Sequence, residues 1–409
     1  MPGSPEGRSG LGFRILTVGM AAVGPFSLNI FKPCLPFIKA DFDAPIAVVQ
    51  LGLSLGVLAA AVATAAAGPL VDRLGRRPII VGTAWLYTLA SILGAAAPTV
   101  EVLVFARVAQ AATSSVAMTV IRAVLHDVHP DAERMIARVT LGAVAAVLLA
   151  PALGGVLIDR VGWRAVFALT ALVGVALLVP VHTSLDETLP PQKERPPLEG
   201  TLGSQLARLL TSPVFLGFSV QSALHFAIFF AFTSASTYLM VDVLGRPAYE
   251  YGIWFVFMAV FVAAGLFSAE RLAGRARNGR ITLAGSVLVV AGGLVSAWLL
   301  GWSEPALTPA RLFVPASVAG YGVGLALPGT NAGVMEVDER LAGTASGLLG
   351  FMQFAIAAVF AQLVVRDEPN TTRVLAELLV VGSIGSLLFA FLSARHGTVD
   401  EAAPGSRSP

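Results

Sequence analysis

The chain has 409 residues, 56% of them hydrophobic and 13% charged, with a mean hydropathy of +0.79; a soluble domain carries roughly a quarter charged residues, so the composition argues against a water-soluble fold. A formal net charge of +2, with arginines in short clusters between apolar runs, gives no reason to expect nucleic acid. The single cysteine, Cys34, excludes an intrachain disulfide.

Residues 1–10 are polar, and the apolar run after Arg14 is longer than the core of a signal peptide. It reads as an uncleaved first span. A hydrocarbon core needs roughly 20 apolar residues in helical form, and every backbone polar group inside it must be bonded within its own helix. Apolar runs bounded by charges, glycine and proline place spans near 12–37, 46–71, 78–97, 99–125, 137–158 and 163–182. A proline- and charge-rich stretch from His182 through Asp186-Glu-Thr-Leu-Pro follows, and six more spans fall near 213–241, 248–269, 281–301, 310–334, 341–365 and 374–394.

The expected organisation is therefore an N-terminal six-helix half over 1–182, a cytoplasmic linker over 183–212, a C-terminal half over 213–395 and a disordered cytoplasmic tail over 396–409. Of the 27 lysines and arginines, 17 fall on the side that carries the termini and the linker and 7 on the other, while Lys32, Arg107 and Arg122 lie within spans. The excess of positive charge marks the cytoplasmic side. Asp72-Arg-Leu-Gly-Arg-Arg after the second span recurs, with one insertion, as Glu270-Arg-Leu-Ala-Gly-Arg after the eighth, a trace of two related halves.

Gly68-Pro-Leu-Val-Asp72-Arg73-Leu-Gly75-Arg76-Arg77-Pro78 reads as a helix end, a tight turn and a cationic helix start. Asp72 is placed to cap a neighbouring helix, and Arg73, Arg76 and Arg77 to sit among anionic headgroups. This segment resembles the signature loop between spans two and three of the major facilitator superfamily, which latches the cytoplasmic side of the closed state. Arg107-Val-Ala-Gln110 resembles that superfamily's fourth-span arginine motif, with Ala111 where glycine is usual. Ala150-Pro151-Ala-Leu-Gly154-Gly155 resembles the antiporter motif of its drug exporters, a proline kink beside glycines that allow close packing. Val120 to Asp127, Asp186-Glu-Thr-Leu-Pro, and Ala342-Gly-Thr-Ala-Ser-Gly-Leu-Leu-Gly350 are similar to the bicyclomycin- and chloramphenicol-resistance subfamily of drug:proton antiporters.

The resemblance implies an all-α major facilitator fold in the inner cell membrane. It also implies a monomer that exports a small amphipathic drug or metabolite by proton antiport, with two halves rocking about a central site. In that subfamily an aspartate four residues before a Pro-x-x-Pro kink in span one is the expected proton carrier. Here the stretch is Asn29-Ile-Phe-Lys32-Pro33-Cys-Leu-Pro36, with no acid and an added lysine. The acids nearest the spans map to span ends or loops, which leaves His225, on span seven, as the mid-span group whose ordinary pKa lies near physiological pH. Gln221 shares its helical face, and Gln353 adds a polar group to span eleven.

Expected substrate and proton residues are thus Asn29, Lys32, Arg107, Gln110, Gln221, His225 and Gln353; the alternative for His225 is a satisfied buried histidine. Lys32 and Arg107 either make the cavity cationic, favouring an anionic substrate, or Lys32 snorkels to the interface. Phe226, Phe229, Phe230, Phe232, Tyr238, Trp254, Phe255, Phe351 and Phe354 are candidates for an aromatic wall. No metal cluster, phosphate loop or nucleophile triad is present, so neither a cofactor, a resident metal nor an enzyme is expected. The rival function is a uniporter or uptake carrier for a small, possibly anionic, metabolite.

Overall fold

The computed structural model describes residues 11–128, 132–188, 202–273, 278–301, 307–337 and 341–400. The first span is built from α1 (Leu11–Phe31), a 3-10 turn (Lys32–Cys34) and α2 (Leu35–Phe42). Pro33 and Pro36 supply no N–H to an α-helical ladder, so the chain tightens into the 3-10 turn and resumes as α2. There follow α3 (Ile46–Leu74), α4 (Arg76–Ala95), α5 (Val100–Val128), α6 (Ala132–Val161), α7 (Arg164–Ser184) and the short α8 (Leu202–Leu210). The remaining helices are α9 (Pro213–Tyr238), α10 (Ala248–Leu272), α11 (Asn278–Gly301), α12 (Pro309–Glu336), α13 (Ala342–Leu363) and α14 (Thr371–Asp400). Twelve spans among the described residues are long and apolar enough to cross a membrane. The last helix runs to Asp400, past the boundary expected at 395.

Burial is inverted relative to a soluble bundle. Large apolar side chains such as Val62, Phe105, Leu172, Val179 and Val381 point outward, whereas Gln50, Ser91, Gln110, Thr170, Gln221, Ser286 and Ser383 are buried. Hydrocarbon solvates the first group, and the second finds hydrogen-bond partners only inside the protein.

Two compact units form. The first comprises the N-terminal helices up to Pro197 together with Thr237–Val256; the second comprises Leu198–Ser236 and Phe257–Pro409. The first owns Thr237–Val256 because specific contacts hold that segment. Asp159 at the end of α6 accepts the Ala248 and Tyr249 amides at 3.1 and 2.9 Å, and Lys39 pairs with Asp242 at 3.4 Å. The core of this unit gathers Leu16, Met20, Ile80, Tyr87, Ile121, Val124 and Leu177 from four helices.

Packing repeats between the units. In the first, α4 lies against α5 and α7; in the second, α11 lies against α12 and α14. The third and ninth spans thus occupy corresponding places in their units. The α11–α12 contact is close because a Cβ on Gly322 would stand 2.5 Å from the Gly285 carbonyl, so glycine lets the backbones meet.

Candidate substrate and proton site

In the N-terminal unit the candidate residues gather around the 3-10 turn. Lys32 is fully buried, with Nζ 5.6 Å from the centre of the Phe255 ring. The snorkelling alternative fails here, because the turn points the side chain inward. Arg107, on α5, is 2% exposed, and its guanidinium lies 4.3 Å over the ring of Phe31, the residue before Lys32. Arg107 Nη1 donates to Gln110 Oε1. Gln110 Nε2 donates in turn to Ser91 Oγ at 2.7 Å and Thr170 Oγ1 at 3.1 Å. Arg107 Nε is buried without a hydrogen-bond partner. Asn29 is buried but turned on its own helix, donating to the Pro25 carbonyl at 2.8 Å, so it does not complete Arg107.

In the second unit α9 carries the polar residues. Gln221 Nε2 donates to Ser286 Oγ on α11 at 2.8 Å, and that hydroxyl donates to the Thr282 carbonyl at 3.1 Å. Gln221 Oε1, His225 Nε2, Ser219 Oγ and Thr282 Oγ1 are buried without partners. Among the described residues, His225 Nε2 thus lacks a hydrogen-bond partner. On the adjacent face of α9, Gln353 of α13 donates to Ser222 Oγ at 2.9 Å. Phe226 meets Phe354 edge-on at 5.4 Å and Phe230 at 5.0 Å, whereas Phe351 points outward.

The loop after α3 is held from a direction the sequence did not announce. Gly75 adopts φ +91°, and a Cβ there would lie 2.5 Å from Glu187 Oε2. Glu187 accepts the Arg76 and Arg77 amides at 2.9 and 3.2 Å, capping α4. Arg76 Nη1 donates to the Ala123 carbonyl at 3.3 Å and Arg77 Nε to the Leu185 carbonyl at 2.8 Å. These two arginines bond the protein's own carbonyls. The side-chain positions of Gly68, Asp72 and Arg73 lie outside the described residues. In α6, which contains Pro151, a Cβ on Gly154 would lie 2.8 Å from the Ile30 carbonyl, and one on Gly155 2.5 Å from the Ala248 carbonyl.

The sequence profile of the Major Facilitator Superfamily matches residues 17–361. The chain belongs to that superfamily. An uncharacterised MFS-type transporter of Bacillus subtilis (strain 168), YdgK, is 26% identical over 94% of this chain and 96% of its own. The multidrug resistance protein MdtL of Escherichia coli O139:H28 is 25% identical over 92% of this chain and 94% of its own. A bacterial homologue of the human lysosomal transporter Spinster, solved inward-facing and unoccupied, superposes with a TM-score of 0.78 at 15% identity, over 98% of this chain and 100% of that one. At that identity the likeness establishes the fold. This facilitator is accordingly a multi-pass membrane transporter of small molecules and not an enzyme.

Glu187 and Asp159 escaped the sequence reading. Glu187 lies inside the Asp186-Glu-Thr-Leu-Pro stretch that carried part of the resemblance, so a search for an acid facing the Gly75-Arg-Arg helix start points to it. Asp159 has no such signal, since its partners lie 89 and 90 residues away.

Proposed function

We propose that this facilitator exports small amphipathic compounds across the inner cell membrane in exchange for protons, as a member of the bicyclomycin/chloramphenicol-resistance type of drug:proton antiporter. It works as a monomer by alternating access of a half over 1–182 and a half over 213–395, joined by a cytoplasmic linker. The observation that carries the reading is His225. Its buried, unpartnered Nε2, one turn from the unsatisfied Gln221 Oε1, offers a titratable site inside a span. The name of the multidrug resistance relative supports export, and the excess of arginine on the side of the termini supports cytoplasmic ends. The loop at Gly75, Arg76 and Arg77, with Gly68, Asp72 and Arg73, serves as the conformational latch, and Pro151, Gly154 and Gly155 form the antiporter-motif kink.

Everted membrane vesicles with and without an imposed pH gradient test the exchange. The expected result is accumulation of an amphipathic aromatic probe only when the interior is acid. Equal accumulation without the gradient overturns antiport and favours the uniporter reading, which Asn29 in the place of the expected acid also supports.

A further inference from the structure

At the end of the second unit opposite the chain terminus, spans eleven and twelve border a groove of about 620 Å³, within the roughly 300–1,000 Å³ of small-molecule sites. Its floor is apolar, formed by Leu363 at the end of α13 and by Val374, Leu378 and Val381 along α14. Its rim is charged. Arg366 and Asp367 come from the turn between the two helices, and Glu377 from nearly two turns into α14. From Val374 to Val381 the floor descends about 10 Å of helix, a large part of one leaflet of a hydrocarbon core about 30 Å thick.

Among the described residues the Arg366 side chain forms no ion pair. Asp367 Oδ2 accepts from Asn370 Nδ2 at 2.9 Å and Glu377 Oε1 from Arg373 Nε at 3.0 Å, which leaves each carboxylate a second oxygen. Counting Arg373, the rim carries two positive and two negative charges, all exposed, so it complements a zwitterion better than a net anion or cation. Water in the groove would wet the whole apolar floor, and a carboxylate on the outer face of a span is costly where no cation answers it. We propose that the groove binds one phospholipid of the leaflet opposite the termini, with a zwitterionic head that bears a primary ammonium. Its phosphate rests on Arg366, its ammonium on Asp367 and Glu377, and an acyl chain covers Val374, Leu378 and Val381. A guanidinium takes phosphate oxygens in a fork. A primary ammonium has three N–H donors, enough for both remaining carboxylate oxygens; a trimethylated one has none, and a glycerol head brings no positive charge.

The site shares no residue with the transport reading above and stands or falls independently of it. It also has a structural consequence. In the second unit α13 lies against α12, whereas α14 lies against α11, so the lipid fills a seam between helices that different neighbours hold.

The experiment uses the purified full chain in detergent and three lipids with the same dioleoyl chains, phosphatidylethanolamine, phosphatidylcholine and phosphatidylglycerol. Bound lipid is counted by native mass spectrometry as each is titrated. One phosphatidylethanolamine binds about 2- to 30-fold more tightly than either of the others, the range for two exposed charge pairs. Arg366→Gln and Glu377→Gln each lower that preference, and Glu377→Gln, which frees Arg373, also raises the affinity for phosphatidylglycerol. Glu270→Gln, in a groove at the opposite ends of the spans, leaves the ranking unchanged. Absence of phosphatidylethanolamine binding, equal binding of the three lipids, preference for either of the other two, an undiminished preference in either rim variant, an equal loss in Glu270→Gln, or a lipid-free dimer of the wild type overturns the assignment.

Discussion

Asp159→Ala releases the first turn of α10 from the N-terminal unit. The carboxylate accepts two backbone amides, Ala248 at 3.1 Å and Tyr249 at 2.9 Å, and so acts as a helix cap supplied by another helix. Losing an N-cap costs about 1 kcal/mol. The negative charge at a helix N-terminus adds about 0.3–1 kcal/mol, and because Asp159 is exposed the lower figure applies. The total is about 1–1.5 kcal/mol, a roughly 5- to 12-fold rise in the open fraction. Close backbone packing remains, with a Cβ on Gly252 falling 2.7 Å from the Ala152 nitrogen, so the contact loosens without dissolving. Hydrogen exchange at residues 248–250 reads the opening directly. It should accelerate by that factor in Asp159→Ala and by less in Asp159→Asn, which keeps one acceptor, with other spans unchanged. Unaltered exchange at 248–250, or a uniform acceleration through every helix, would refute the reasoning.

Gly75→Ala forces a side chain into φ +91° and onto the Glu187 carboxylate; a loss of about 1–2 kcal/mol should appear as a lower melting temperature and faster exchange at Arg76 and Arg77. Gly322→Leu pushes α11 and α12 apart at a contact of 2.5 Å, an overpacking of about 1–3 kcal/mol or more, seen as lost monodisperse protein in detergent, whereas Gly343→Leu, with open space around it, leaves that profile unchanged. A split fluorescent reporter fused after Pro409 should be completed by a cytoplasmic partner; completion only from outside would invert the charge-derived orientation.

The spans were legible because a bilayer imposes a length and a polarity on each helix, and those constraints are local in sequence. The kink at Lys32 was legible for the same reason, since Pro33 and Pro36 act on their own backbone. What Lys32 touches was not, because Phe255 lies far along the chain on another helix. Arg107 could be flagged as a buried cation from its place inside span four. Its actual partners, Phe31 and Gln110, depended on how α1 and α5 rotate against each other. The loop motif gave Gly75, Arg76 and Arg77 as a turn and helix start but gave no sign of Glu187, the acid from beyond α7 that caps this helix. Caps delivered across space leave no periodicity to read.

The central claim, export coupled to proton entry at His225, is tested most directly by comparing wild type and His225→Gln in everted vesicles, with flux of an amphipathic aromatic probe measured side by side. Wild type should accumulate the probe only against an acid interior. His225→Gln should lose that gradient-driven accumulation while still exchanging labelled for unlabelled probe, which needs no proton. Gradient-driven accumulation at the wild-type rate in His225→Gln would contradict the account.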